Sequence, residues 1–474
     1  MNNNSTKRPL LLTVLVIVFL LALHFLPKIS IDGYEIRQID ILSDLTEKKA
    51  VHNDDGLSNK SQAGETLTKN AKGETITFKE VWPKGVQAIV DFSDGGANGL
   101  DHFYAMVDSV AHHKLKGRPL RVAYYGDSFI EGDILVSDLR ELLQKKFGGN
   151  GVGWIDAAND LTQYKLTITN HFSGLAEHMA MKKDSYRAQQ AGIAQRYYTM
   201  DGGFVKMTYD GRTDYPHTTK WGATRLYFTT TAGMSLLMTQ GQNSQAQSFA
   251  NDAHVQVAEA KGVTSHSAIN VTSGNGILFG TALETDGGII VDNFSLRGSA
   301  GNTIADLPLT MLSDFNRIRP YDLIILQFGT NAVTENSKEK QLQAYADQLK
   351  TVVQHLQKAF PNTSFLLVGA PDRGSKKSDT GTMESIVTLN EYQEQIAKEC
   401  KIGFYSLYKG MGGAGTMRRL VDEHGWGSKD YVHVNYNGGK YIAERFYRSL
   451  LAALDNYHRR MKTINANSTP SNNK

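Results

Sequence analysis

The chain has 474 residues, 41% hydrophobic and 21% charged, an ordinary globular composition with room for two or three domains. A formal net charge of +3 gives no electrostatic case for a nucleic-acid partner. The single cysteine, Cys400, excludes an intramolecular disulfide and a cysteine metal cluster, and its apolar, helix-patterned surroundings predict a buried thiol.

Residues 10–26 are apolar apart from Thr13 and His24, and Lys7 and Arg8 stand just before them. About 17 residues is the lower limit for crossing a bilayer. The run closes on His24, Phe25, Leu26 and Pro27, with no small-residue cleavage site. Residues 9–27 are therefore expected to form an uncleaved signal anchor, a single pass through the inner (cytoplasmic) membrane. Its positive end would face the cytoplasm and the body would be periplasmic or extracytoplasmic. Residues 28–80 then form a membrane-proximal segment and linker. Within it, 47–72 is rich in Lys, Asn, Asp, Ser, Gly and Thr and reads as a flexible tether. Residues 461–474 read as a disordered tail.

Between these ends, strand and helix signals alternate. A short β-type run at 121–125 ends at Gly126, and Leu135, Leu139, Leu142, Leu143 and Phe147 then mark one helical face. A second strand lies within 287–296, with a short helix from about Thr303. The dense apolar run at 322–328 is a third strand, followed by a helix carrying Leu342, Tyr345, Leu349, Val352, Val353, Leu356 and Phe360. Strands at 364–369 and 402–407 flank a helix marked by Ile386, Leu389, Tyr392 and Ile396. A last helix carries Tyr441, Ile442, Phe446, Leu450 and Leu454. This alternation over 81–149 and 287–460 predicts an α/β domain: a parallel sheet with helices on both faces.

Residues 150–286 break the rhythm. Short β-type runs at 204–209, 225–231, 235–239 and 254–257 are punctuated by Gly, Asn, Asp and Ser. They predict an all-β sandwich or jelly roll inserted into the α/β domain.

Four short stretches carry chemistry. Ser128 follows Gly126 and Asp127 at the end of the first strand and is expected to open the first helix. There a serine faces the crevice at the strand's carboxyl end, and free helix N–H groups favour an oxyanion. Asp430 and His433 stand three apart just before the last helix. A carboxylate at that spacing can fold back onto one ring nitrogen, leaving the other free to take a serine proton. Gly301 and Asn331, the latter directly after the third strand, could supply an N–H and a side-chain amide to a developing oxyanion alongside the Ser128 N–H. Asp372 and Arg373 end the fourth strand near the expected crevice, where they could orient substrate but a structural ion pair is expected, and Glu131 and Asp133 stand close enough to Ser128 to tune its pocket. The Gly149–Gly153 run lacks the Lys-Ser/Thr of a phosphate loop and reads as a helix stop.

In this order the four stretches resemble the SGNH (GDSL-type) hydrolase superfamily, whose name lists Ser, Gly, Asn and His. The positions fall on Ser128, Gly301, Asn331 and His433, with Asp430 as the acid. Gly301 is preferred to Gly298 because Asn302 and Thr303 follow it. Ala332 departs from the Asp that many members place after the asparagine. The resemblance implies a flavodoxin-like doubly wound parallel sheet and an esterase with a Ser128, His433, Asp430 triad and no metal or other cofactor. The chain is further similar to peptidoglycan O-acetylesterases with an inserted carbohydrate-binding-like β-domain. That implies an O-acylated, most simply O-acetylated, cell-envelope polysaccharide as substrate. An O-acyltransferase working with a membrane acyl-donor protein is the alternative, and a non-catalytic polysaccharide-binding protein a second. Trp154, Trp221, Tyr197, Tyr198, Tyr209, Tyr215 and Tyr227 in the insert could stack on sugar faces, but core filling is their expected role.

Overall fold

The structure, a computed structural model, describes residues 75–201 and 204–466 and the short strands Ser30–Ile31, Tyr34–Glu35 and Glu65–Lys69. The expected anchor at 9–27 lies outside the described residues, as does most of the expected linker. Among the described residues no helix is long and apolar enough to cross a membrane. Within the linker Glu65–Lys69 pairs antiparallel with Thr75–Lys79.

In chain order the body begins with β1 (Val90–Asp91), α1 (Leu100–Ala111), β2 (Leu120–Gly126) and α2 (Val136–Phe147). Eleven strands follow. They are β3 (Gly153–Asp156), β4 (Ile168–Ser173), β5 (Leu175–Met179), β6 (Arg196–Met200), β7 (Val205–Gly211) and β8 (Trp221–Thr230), then β9 (Met234–Gln240), β10 (Asn243–Phe249), β11 (Asp252–Thr264), β12 (His266–Gly274) and β13 (Ile277–Glu284). The α/β rhythm resumes with β14 (Ile289–Ser295), α3 (Leu309–Ile318), β15 (Leu323–Gln327), α4 (Glu339–Ala359), β16 (Ser364–Val368) and α5 (Glu384–Cys400). It closes with β17 (Gly403–Tyr405), α6 (Leu407–Met411), α7 (Thr416–Asp422) and α8 (Tyr436–Ala466).

The main sheet runs β14-β2-β15-β16-β17 in parallel, with β1 antiparallel on the outer edge of β17. Numbered by their own succession the parallel strands stand 2-1-3-4-5, the flavodoxin-like order, whose ligand crevice opens between strands one and three. Both faces are covered, so the strands are apolar throughout rather than alternating. Val122, Tyr124, Leu323 and Ile325 pack with α1, α2 and α8, whereas Ala123, Tyr125, Ile324 and Leu326 pack with α3, α4 and α5. Register aligns Gly126 with Ser295 on one side and with Gln327 on the other. Three strands therefore end level, and the segments that follow them share one rim.

One expectation is corrected here. Ser128 does not open the first helix. It lies in a turn, followed by a 3-10 turn at Glu131–Asp133, and α2 starts only at Val136. Gly132, Asp133 and Leu135 have φ of 68°, 67° and 68°. An α-helix of L-residues cannot contain that left-handed backbone, so the helix is delayed.

The strands β3–β13 form two antiparallel sheets, β11-β8-β13-β6-β5 with β3 on β13, and β10-β9-β12-β7-β4. Tyr198, Leu226, Phe228 and Leu278 of the first share one core with Met207, Tyr209, Leu236 and Ile269 of the second, which makes a sandwich. The outer face of the first sheet packs on the α/β domain. Trp154 meets Phe294 edge-on at 5.7 Å, and Tyr227 lies 5.9 Å from Phe315. Trp154, Trp221, Tyr197, Tyr198, Tyr209 and Tyr227 are all buried. Tyr215 accepts from Ser137 and donates to Asp138, so it too bonds the α/β domain. Cys400 is buried at the end of α5, as its surroundings predict. The last helix runs to Ala466, beyond the expected start of the tail. Arg460 pairs with Asp101, and His458 Nε2 lies 2.6 Å from Asp108, so α1 holds it down. Residues 467–474 lie outside the described residues.

Candidate active site

The turn after β2 begins at Gly126, where a Cβ would come within 2.8 Å of the Ile130 side chain. A larger residue would displace Ile130 from beneath the turn. Ser128 Oγ then stands 2.9 Å from Nε2 of His433. On the other side of the ring, Nδ1 lies 2.7 Å from Asp430 Oδ2. An ionised carboxylate only accepts, so the network assigns the proton to Nδ1 and leaves Nε2 to accept from the serine hydroxyl.

Asp430 is fixed by its own turn. Its Oδ1 accepts from the N–H groups of Val432 (2.9 Å) and His433 (3.1 Å). Burial works against its charge, but the hydrogen bonds from His433 and Val432 outweigh it and hold the carboxyl below the usual range. Tyr431, between acid and base, has φ 57°, and the turn is pinned by Tyr431 N–H on Ser428 O (2.9 Å) and Ser428 N–H on His433 O (2.8 Å). Asn435 Oδ1 then caps α8, accepting from the N–H groups of Asn437 and Gly438.

The other expected positions converge on the same place. Asn331 Nδ2 donates to Asp127 Oδ2 at 3.1 Å and to the Ser299 carbonyl at 3.0 Å. The Gly301 N–H donates to Ser299 Oγ at 3.0 Å. A single hydrogen-bonded string thus joins the segments after β2, β14 and β15. Gly301 has φ 87°, and a Cβ there would lie 2.7 Å from the Phe328 ring, so no other residue fits. Asp127 is buried, and desolvation pushes its carboxyl up to about 6 despite hydrogen bonds from the Phe129 N–H and the Thr330 hydroxyl.

The two acids near Ser128 divide. Asp133 is fully buried and bonds Arg140 (3.0 Å), Thr167 Oγ1 (2.8 Å) and Asn293 Nδ2 (2.9 Å). Burial opposes its charge, but Arg140 and Lys165 overcome it and keep the carboxyl far below the usual range. It is a structural anchor for the loop. Glu131 reaches Arg297 at 3.4 Å, and burial pushes its carboxyl up. Asp372 and Arg373 are not an ion pair. Asp372 accepts from Thr382 and Met417, while Arg373 donates to the carbonyls of Thr330 and Val333 and so braces the Asn331 loop. Sequence reasoning missed Ser299 and Thr330 and gave Arg373 an ion pair in place of its bonds to the Asn331 loop. The one available signal was a hydroxyl two residues before Gly301, the spacing of a side-chain-to-backbone turn.

Residues 262–440 match the GDSL-like Lipase/Acylhydrolase family. The match takes in Gly301, Asn331, Asp430 and His433 and begins after Ser128, within the inserted β-domain. No curated protein matches the chain. Among solved structures, one titled as a peptidoglycan O-acetylesterase in action is 21% identical, covers 77% of this chain and 99% of its own, and has a TM-score of 0.64. A family two carbohydrate esterase from Cellvibrio japonicus is 10% identical over 61% of this chain and 99% of its own, with a TM-score of 0.26. An acetyl xylan esterase is 20% identical over 34% of this chain and 81% of its own, also at 0.26. The family match over residues 262–440 and the fold shared with the peptidoglycan O-acetylesterase structure make the chain similar to the SGNH, or GDSL-type, hydrolases, which act on carboxylic ester bonds.

Proposed function

We propose that the protein removes O-acetyl groups from a cell-envelope polysaccharide such as peptidoglycan. The observation that carries the reading is the relay from Ser128 through His433 to Asp430, with separations of 2.9 and 2.7 Å. The hydroxyl already faces the base that must accept its proton, and the base is already oriented by its acid. The fold shared with the peptidoglycan O-acetylesterase structure supports the substrate class.

In this reading Ser128 Oγ attacks the ester carbonyl while His433 Nε2 takes the serine proton. Asp430 stabilises the imidazolium. The oxyanion is received by the N–H groups of Ser128 and Gly301 and by the Asn331 amide. The last two donors exchange or share their present partners, Ser299 and Asp127, as the charge develops. His433 then returns the proton to the departing sugar oxygen, and water, deprotonated by the same ring, releases the acetyl group. The body stands on the extracytoplasmic side, tethered by residues 9–27, where such a polymer would be met.

Incubating the purified chain with O-acetylated peptidoglycan and measuring free acetate tests the reading. Stoichiometric release to water is expected. Acetyl appearing on an added oligosaccharide instead of in solution would make the protein a transferase, and polysaccharide binding without labelling of Ser128 by a fluorophosphonate would make it a binding protein.

A further inference from the structure

We propose that Gln195, contributed by the inserted β-domain, is a positioning residue for the Gly301 segment of the catalytic site. The inference rests on the esterase reading above. Gln195 lies just before β6 and is fully buried. Its φ is 59°, a conformation a non-glycine residue adopts only when its surroundings impose it. Its Nε2 finds no hydrogen-bond partner among the described residues, although the atom is buried. An orphaned buried amide and a left-handed backbone are both costly, and here they fall on one residue.

What Gln195 gains is a contact with the catalytic segment. Its Oε1 accepts from Thr303 Oγ1 at 2.6 Å. Thr303 stands in the 3-10 turn Asn302–Asp306, whose N-cap is Gly301. Gly301 O accepts from Ile304 N–H at 3.2 Å, which closes Gly301 into this turn, so an anchor at Thr303 holds the residue whose N–H faces the site. Gln195 is itself held on both sides. Its N–H donates to Gly192 O (3.0 Å) and its carbonyl accepts from Ala180 N–H (3.2 Å). Its neighbours grip the same rim: Arg196 Nη2 donates to Ser295 O at 3.1 Å, and Ile193 O accepts from Tyr125 Oη at 3.1 Å. The insert is therefore built into the catalytic site.

The test uses the full chain and an aryl acetate, with Gln195→Leu, Thr303→Val, Thr303→Ser and the Gln195→Leu/Thr303→Val pair. A misaimed oxyanion donor lowers the chemical step without altering ground-state binding. Gln195→Leu and Thr303→Val should each lower kcat about tenfold at unchanged KM. The double variant should be no slower than the singles, because both remove one contact. Thr303→Ser, which keeps the hydroxyl, should restore kcat. Unchanged kcat in Thr303→Val, effects that multiply in the double variant, or a rise in KM alone would overturn the inference. If Gln195→Leu does not fold, the Val and Ser variants at Thr303 decide it. Absence of turnover in the unsubstituted chain would overturn the esterase reading and this inference together, whereas turnover that ignores Thr303→Val overturns the inference alone.

Discussion

Ser128 Oγ and His433 Nε2 stand 2.9 Å apart although 305 positions separate them along the chain. Two contacts hold the His433 turn and the helix after it against the Ser128 loop. Tyr436 Oη, in the first turn of α8, donates to Gly132 O at 2.7 Å. Gly439, one turn further, lies so close to that loop that a Cβ would sit 2.7 Å from Leu135 N. Ser128 and His433 are thus brought together by close approach of a helix start to a loop with left-handed backbone.

Replacing Ser128 by Ala should lower kcat on an aryl acetate by roughly 10³-fold or more while leaving Tm within a few degrees of the parent. Asp430→Asn should keep the geometry but lose the imidazolium's counter-charge, with a drop of comparable order. Retention of full turnover by either variant, measured under single-turnover conditions, would remove these residues from the chemistry.

Gly439→Ala should separate α8 from the loop after Ser128. The added methyl meets backbone at 2.7 Å, which no side-chain rotation can relieve. Overpacking of this kind costs about 1–3 kcal/mol. We expect a lower denaturation midpoint and a fall in kcat larger than the loss of folded protein accounts for. Equal activity per folded molecule would show that the contact does not set the Ser128–His433 distance.

Asp127 gives stability a specific pH dependence. The folded chain holds this proton up to about 6, whereas the unfolded chain releases it near 3.8. Between those values the folded state binds the extra proton, so the contribution is fully present below about pH 3.8 and lost as pH rises through about 6. Its full span is about 3 kcal/mol. Asp127→Asn, which stays neutral, should therefore gain Tm relative to the parent above pH 6 and lose that advantage near pH 4. A difference in Tm that does not change with pH would contradict the assignment.

Glu284, the last residue of β13, bonds Arg121 of β2 (2.7 Å), Arg225 of β8 (2.7 Å) and Arg319 (2.9 Å), and is completely buried. Burial opposes its charge, but Arg319 and Arg121 prevail and hold the carboxyl far below the usual range. Its stabilisation is thus present above the ordinary glutamate range and lost only in strong acid. Glu284→Gln leaves buried guanidinium groups without their carboxylate and should cost about 3–5 kcal/mol. Because this group joins the insert to the main sheet, urea unfolding followed at the tryptophans, all but Trp82 and Trp426 of which lie in the insert, should shift together with loss of activity.

The sequence by itself determined the main strands, the helices on either face, the place of the insert and which polar side chains, Ser128, Asp430 and His433, meet at the rim. Apolar runs such as 322–328 and heptad-like faces such as that of α4 are local patterns, and the backbone reads them locally. The pairing of Asp430 with His433 is equally local, since three residues of turn suffice to close it. Other features were decided only in three dimensions. The start of α2 was misread because left-handed φ at Asp133 and Leu135 is imposed by burial of Asp133 against Arg140, Thr167 and Asn293, and no propensity at those positions announces it. The binding of Ser299 to both Gly301 and Asn331, and of Gln195 to Thr303, depends on level strand ends and on a sandwich packed against them. Such contacts leave no periodicity in the chain, because they are made between segments whose spacing is set by the sheet and not by the sequence between them.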